Sequence, residues 1–195
     1  GLLYITSPRL GEDFGVNCTA QFPLGRRVFR CWKKGGHGGV GIKRAVKSSC
    51  DDFFYKGSVQ LGIKNLSDGL IRYGLGVKTG IDLPNEFVGI VPSREWKLKK
   101  YKQPWYMGET VNTAIGQGSF LSTPFQIARY TALMATGKLP KPHIAKMIGD
   151  QPVMPEFSDI LTPLEKKKLP IIQEAMYAVC NEEGGTAKQF IHSKV

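Results

Sequence analysis

The sequence predicts an α/β domain rich in helix, and three observations carry that expectation. Apolar residues recur at helical spacing in four separate stretches. Two of those stretches open on a threonine–proline start signal. Between them lie short extended runs and clusters of glycine and other turn formers. At 195 residues the chain suits one domain with a sizeable core, so residues 1–195 are read as a single unit.

Residues 1–39 are rich in turn formers, and Arg27-Val28-Phe29-Arg30 suggests one hairpin among loops. From Val40 the pattern turns helical. Ile42, Ala45 and Val46, then Phe53, Phe54, Gly57, Ser58 and Leu61, mark one face of a helix that Gly62 closes. A second helix covers Ile63 to Tyr73, with Leu66, Leu70 and Ile71 inward and Gly74 as its stop. Residues 75–118 read as loop. Thr123, Pro124 and Gln126 then supply a cap, a first-turn proline and a capping box. The helix they open should bury Ile127, Tyr130, Thr131 and Met134 before Gly137 stops it. Pro142 to Ile148 suggests a strand. Thr162-Pro163-Leu164-Glu165 repeats the start signal for a last helix carrying Ile172, Ala175, Met176 and Val179, which Pro170 should kink. Cys180 is expected as a small buried hydrophobe.

Hydrophobic residues make up 42% of the chain and charged residues 22%, the composition of a soluble globular domain. No run of 18 apolar residues exists, which excludes a membrane-spanning helix within the sequence. The start, Gly-Leu-Leu-Tyr-Ile-Thr, lacks the basic region and cleavage site of a signal peptide. Both termini are expected to be cut from a longer chain. The net charge of +11 would suit a nucleic-acid binder. The basic residues, however, fall in scattered groups at Arg26-Arg27, Lys33-Lys34, Lys97 to Lys102 and Lys166 to Lys168, which suits solvated faces better than one binding stripe.

The stretch from Cys18 to Tyr55 holds three of the four cysteines and one of the three histidines. Cys18, Cys31, His37 and Cys50 follow the pattern C-x12-C-x5-H-x12-C, and three thiolates with one imidazole make a closed tetrahedral structural zinc site. The spacing is not that of a zinc knuckle, so the signal rests on ligand type. The segment between Gly35 and Val40 has no apolar residues, and a metal would supply order that a core does not. No Ser-x-x-Lys, Gly-x-Ser-x-Gly, Walker loop or CxxC occurs anywhere. Lys78-Thr79-Gly80 looks like a motif of serine acyl-transferases but leads into Ile81-Asp82-Leu83-Pro84, which reads as a turn, and is not taken as that motif. Ser49-x-Asp51 is weak by itself, because a serine before a helix is usually a cap.

Context changes that reading. FRCWKKGGHG, AVKSSCDDFFYKGSVQLG, YGLGVKTGIDLPNEFVGIVPSREWK, W-x-x-GET and IGQGSFLSTPFQIARYTALMATG occur in this order. Together they resemble the transpeptidase domain of class B penicillin-binding proteins, in particular the elongation type (the penicillin-binding protein 2 group) and its epsilonproteobacterial members. The resemblance runs from about Leu2 to Val195. It implies a penicillin-binding, serine β-lactamase-like fold, present here as a partial domain. It also implies a peptidoglycan D,D-transpeptidase that cross-links stem peptides during cell elongation and is trapped by β-lactams. Of the three motifs around such a site only the middle one is present, as Ser49-Cys50-Asp51. The Ser-x-x-Lys motif should precede Gly1 and the Lys-Ser/Thr-Gly motif should follow Val195, so the chain by itself is expected to be inactive.

By resemblance, Ser49 and Asp51 are the catalytic residues within this segment. Ser49 would stand between two lysines of the absent motifs and pass a proton toward the leaving amine. Asp51 stands where many relatives carry asparagine. A carboxylate only accepts, so it would pair with the nucleophile's lysine or take an amide N–H of the peptide. Gly116-Gln117-Gly118 and Gly108-Glu109-Thr110 belong to the resemblance as scaffold. The implied location is periplasmic, with the parent protein anchored in the inner membrane. The implied partners are the rod-shape scaffold MreC and a membrane glycan polymerase, with no nucleic acid. An oxidising compartment raises a competing expectation, a Cys18–Cys31 disulfide, which would leave Cys50 and His37 unexplained. From a different class, a zinc-stabilised nucleic-acid-binding or interaction module is the alternative to the enzyme.

Overall fold

The computed structural model describes residues 1–190. It opens with a single turn of helix, α1 (Leu2–Ile5), whose Leu2, Tyr4 and Ile5 are buried. Strand β1 (Val16–Cys18) pairs antiparallel with β4 (Gly38–Val40), setting Cys18 opposite Gly38. Between them, β2 (Gln21–Leu24) and β3 (Arg27–Arg30) form the expected hairpin. Helix α1 and the β1–β4 ribbon are additions to the loops read there, because elements of three or four residues are too short to show a period.

The single helix expected from Val40 to Gly62 is two, α2 (Ile42–Lys47) and α3 (Asp51–Leu61), broken over residues 48–50. Helix α4 (Ile63–Arg72) follows Gly62. Its buried stripe includes Ile63, Leu66 and Ser67 with Leu70 partly buried, so Ile71, expected inward, lies off the stripe and is 43% exposed. The loop reading of 75–118 misses α5 (Arg94–Tyr101) and α6 (Met107–Ala114). Helix α5 shows no apolar stripe and is started by Ser93, whose hydroxyl accepts from the Trp96 N–H at 3.1 Å. Helix α6 buries Thr110, Val111 and Thr113, a face that is mostly threonine. The side chain of Lys97 is 7% exposed and reaches Glu109 at 2.6 Å, tying the two helices together.

Helix α7 (Pro124–Thr136) carries its capping box as expected. Its buried face is Gln126, Leu133 and Met134 with Tyr130 partly buried, while Ile127 and Thr131 turn outward. Gln126 causes the rotation: its buried amide donates to the carbonyls of Val77 at 2.6 Å and Val88 at 2.9 Å. Strand β5 (Leu139–Lys141) precedes the expected strand at 142–148, of which only β6 (Met147–Ile148) forms and the rest is loop. The Asp82 carboxylate accepts the N–H groups of Ile144 and Ala145 at 2.7 and 2.9 Å, diverting donors that a ladder would need. Strand β6 pairs with β7 (Gln151–Pro152), and β5 pairs with β8 (Glu156–Ser158).

Helix α8 (Pro163–Asn181) is capped by Thr162 and runs unbroken through Pro170. Its buried stripe is Glu165, Leu169, Ile172, Ala175 and Ala178, so Ile172 and Ala175 are inward as expected. Met176 is exposed, and Val179 and Cys180 are half-buried, because each sits beside that stripe. A 3-10 turn, Lys188–Phe190, ends the described chain. Helices α1, α2 and α7 pack on α8, while α3 packs on α4 and α6, around a core that includes Leu2, Phe53, Leu133, Leu169 and the first three cysteines. The sheets among the described residues are four separate two-stranded ribbons. No described helix is long and apolar enough to cross a membrane. Several basic residues stand paired with acids on the surface, as at Lys43–Glu174, Lys64–Asp68 and Lys166–Asp159, in keeping with solvated faces.

One buried carboxylate joins the end of α4 to the start of α8. Glu165 accepts two bonds from the Arg72 guanidinium, at 2.7 and 2.5 Å, one from the Thr162 N–H at 2.9 Å, and one from the Tyr73 hydroxyl. Burial favours the protonated acid, but the Arg72 and Tyr73 bonds outweigh it and hold the carboxyl at about 2, below its ordinary 4.5. A depressed folded-state pKa stabilises the fold fully above the ordinary value and is lost as the pH falls toward about 2. Urea unfolding of the chain should therefore show stability falling between about pH 4.5 and pH 2. In Glu165→Leu that pH dependence should shrink, and stability at neutral pH should drop by about 2–3 kcal/mol as Arg72 and Tyr73 lose their partner.

Candidate functional site

The Ser49 loop is built by the way α2 ends. The Ser49 N–H donates to the Val46 carbonyl at 3.2 Å and the Cys50 N–H to that of Ala45 at 2.9 Å. These are the two bonds of a Schellman ending, whose left-handed position normally holds glycine. Here it holds Ser49, at φ +49°. The turn reverses the chain so that Cys50 drops into the core, 0% exposed, while Ser49 stays exposed and Asp51 begins α3. Cys50, not Ser49, is the residue preceding the helix, so the cap reading of Ser49 does not apply.

Trp32 clasps this turn from outside. Its indole N–H is shared between the carbonyls of Ser48 at 3.0 Å and Ser49 at 2.9 Å. Its backbone N–H donates to Asp51 Oδ2 at 3.0 Å. Asp51 thus takes an amide N–H of its own chain. The Ser49 hydroxyl lies 2.9 Å from that of Thr186. An open hollow of about 360 Å³ lies beside the pair, lined by Val46, Ser49, Asp51, Phe54, Ala114 and Ile115.

Beneath the turn, the four residues read as metal ligands converge. Pairing of β1 with β4 places His37 beside Cys18, the Cys31 N–H donates to the Ala20 carbonyl at 2.9 Å, and Cys50 arrives from the end of α2. Gly36 permits the closest approach: a Cβ there would stand 2.2 Å from the Cys18 carbonyl oxygen, at φ +74°. The ligand atoms of Cys18, Cys31, His37 and Cys50 all lie within 4.8 Å of one another, and all four residues are buried. His37 Nδ1 is 3.6 Å from Cys18 Sγ and 3.4 Å from Cys31 Sγ. Zinc–sulfur bonds of about 2.3 Å in a tetrahedron imply ligand separations of roughly 3.5–3.8 Å; the two His37 separations lie close to these, and three buried thiols with one imidazole are the ligand types zinc takes.

Burial dominates the electrostatics of the cluster. Burial pushes the Cys50 thiol up to about 12, the Phe53 N–H opposing it. Burial raises Cys31 as well, against the backbone N–H groups of Lys33, Asp52 and Asp51, which favour a thiolate. Burial lowers His37 first and the positive charge of Lys33 next, keeping the imidazole neutral as a ligand requires. Backbone N–H groups thus face the sulfurs of Cys31 and Cys50 and favour their thiolate forms. No disulfide joins Cys18, Cys31 or Cys50 in the structure.

The structure therefore brings the six singled-out residues into one body, with the thiol–imidazole cluster under the Ser49–Asp51 turn. Lys78-Thr79-Gly80 lies in irregular loop, its Thr79 and Gly80 N–H groups donating to the Glu86 carboxylate at 2.6 and 3.2 Å. Gly116 and Gly118 adopt positive φ, consistent with scaffold. The sequence reading missed two neighbours. Trp32 lay inside the quoted stretch, and its position next to Cys31 was the available signal. Thr186 gave none.

Comparison with known proteins accords with this geometry. The model of the penicillin binding protein transpeptidase domain matches residues 12–195. Peptidoglycan D,D-transpeptidase MrdA of Haemophilus influenzae is 36% identical over 172 residues, covering 86% of this chain and 26% of that protein. The penicillin-binding protein PBP2 of Helicobacter pylori, solved free and in complex with MreC, is 43% identical and superposes with a TM-score of 0.91. All of this chain and 36% of that one are covered. The chain thus spans about a quarter to a third of the length of the relatives it matches. A turn of this shape, in a chain matched over nearly its whole length, leaves one assignment: the chain belongs to the penicillin-binding protein transpeptidase domain family.

Proposed function

We propose that this chain is the central segment of a peptidoglycan D,D-transpeptidase of cell elongation, with Ser49 as its proton relay. The observation that carries the reading is Ser49 itself, held in a strained left-handed turn with its hydroxyl beside an open hollow. In the reaction, a serine supplied by a segment outside these residues attacks the carbonyl of a D-Ala-D-Ala bond. The C–N bond breaks, terminal D-Ala leaves as an amine, and the acyl-enzyme ester is resolved by an amine of a neighbouring strand. Ser49, able both to donate and to accept, hands a proton to the departing nitrogen. Asp51, with one oxygen bound to the Trp32 N–H, uses the other to receive a donor from the nucleophile's lysine or from the substrate. A β-lactam enters the same path, its ring amide taking the place of the peptide bond.

The substrates on this reading are stem peptides, and the setting is periplasmic, the parent protein anchored in the inner membrane. A scaffold of the MreC kind and a membrane glycan polymerase are its partners, in line with the relative solved with MreC. A nucleic-acid-binding module has no support from the family match or from the charge distribution. In the complete domain, Ser49→Ala should slow acylation by a fluorescent penicillin about 10²-fold or more. An unchanged acylation rate with normal folding would remove Ser49 from the mechanism.

The buried cluster holds one structural zinc ion on the same reading, bound by Cys18, Cys31, His37 and Cys50. The ion would pin Cys50, and through it the flanking Ser49 and Asp51, while taking no part in the chemistry. Protein purified without chelator should contain about one equivalent of zinc. Gly36→Ala, whose new methyl meets the Cys18 carbonyl, should lower that content and the melting temperature together. Zinc below about 0.2 equivalents, with Cys18 and Cys31 recovered as a disulfide, would end the assignment.

A further inference from the structure

We propose that Thr186 is a positioning residue for Ser49, its hydroxyl fixing the direction in which the Ser49 proton points. The inference rests on the relay assigned to Ser49 above. A serine hydroxyl rotates among three staggered states, and even between the two lysines of the flanking motifs only some would aim its hydrogen at a leaving group in the hollow. The Thr186 hydroxyl, 2.9 Å away, is the one side chain hydrogen-bonded to Ser49 Oγ among the described residues. When Thr186 donates and Ser49 accepts, the Ser49 hydrogen is turned away from Thr186 and is free for the substrate. A threonine suits this because its β-branched side chain has few rotamers.

Thr186 is itself held from two sides. Its N–H donates to the Lys47 carbonyl at 3.2 Å, in the last turn of α2 and two residues before Ser49. The following Ala187 N–H donates to the Val179 carbonyl at 3.0 Å, near the end of α8. Between these elements the chain presses so closely that a Cβ on Gly185 would sit 2.4 Å from the carbonyl oxygens of both Ala178 and Val179. A Lys47–Glu182 ion pair of 2.8 Å brackets the same contact. The turn from 182 to 187 therefore bridges the end of α8 to the end of α2 and delivers one hydroxyl to Ser49. That arrangement requires glycine at 185 for approach and a hydroxyl at 186 for orientation.

The test compares Thr186→Val, Thr186→Ser and Ser49→Ala in the complete transpeptidase domain, using stopped-flow acylation by a fluorescent penicillin. Valine keeps the shape of threonine and removes the hydroxyl. The acylation rate constant should fall about 3- to 10-fold, the worth of one hydrogen bond, while the non-covalent penicillin affinity stays unchanged. Serine, which restores the hydroxyl, should recover most of the rate. The inference is overturned if Thr186→Val acylates at the parental rate while Ser49→Ala is slow. It is equally overturned if Thr186→Ser is as slow as Thr186→Val, since restoring the hydroxyl would then not restore the rate. Parental rates in both Thr186→Val and Ser49→Ala would sink the relay reading itself, a separate failure.

Discussion

The structure turns on one residue held in a conformation it does not favour. A left-handed φ at a non-glycine residue costs roughly 1–2 kcal/mol, and Ser49 accepts that cost to close α2. Glycine at this position would end the helix more cheaply but offer no hydroxyl. The strain persists because neighbours on each side determine the turn independently. Cys50 is anchored in the core, Trp32 binds the carbonyls of Ser48 and Ser49, and the Asp51 carboxylate returns to the Trp32 backbone. Releasing any one of these would let the turn relax toward an ordinary helix end.

The thiol–imidazole cluster and the turn are two faces of one device. Residues 18–40 bring few apolar side chains to the core, and their ribbons are only three or four residues long. Isolated ribbons of that length are marginal in water. Convergence of Cys18, Cys31 and His37 on Cys50 ties the ribbons to the start of α3, where backbone N–H groups already favour negative sulfur. Trp32 follows Cys31 directly, so whatever holds the sulfur also places the indole. The order imposed on the cluster thereby reaches Ser49 through the adjoining peptide of Cys50 and through the tryptophan.

What could be read in the sequence follows the range of each interaction. The starts of α7 and α8 were legible because Thr123 with Gln126, and Thr162 with Glu165, signal within a single turn. The convergence of Cys18, Cys31, His37 and Cys50 was legible from residue chemistry alone, despite irregular spacing. The break between α2 and α3 was hidden because its left-handed residue is serine where glycine is the usual sign. Helices α5 and α6 were hidden because one is charged and the other buries threonines, leaving no apolar stripe. Gln126 rotated α7 away from its apolar pattern through carbonyls far along the chain. Family resemblance supplied the chemistry of Ser49 and Asp51, but the contact to Thr186 is tertiary and has no local trace.

That last contact has a temporal meaning. The elements that shape the Ser49 turn lie between residues 18 and 51, so they can close as soon as that short stretch is free to fold. Thr186 is 137 residues further on. Closing a loop of that span is entropically dearer than closing the local ribbons, and it waits on the whole of α8. A nascent chain would therefore display a formed but unoriented serine while the next 137 residues are made. The hydroxyl acquires its direction only when the end of the segment docks.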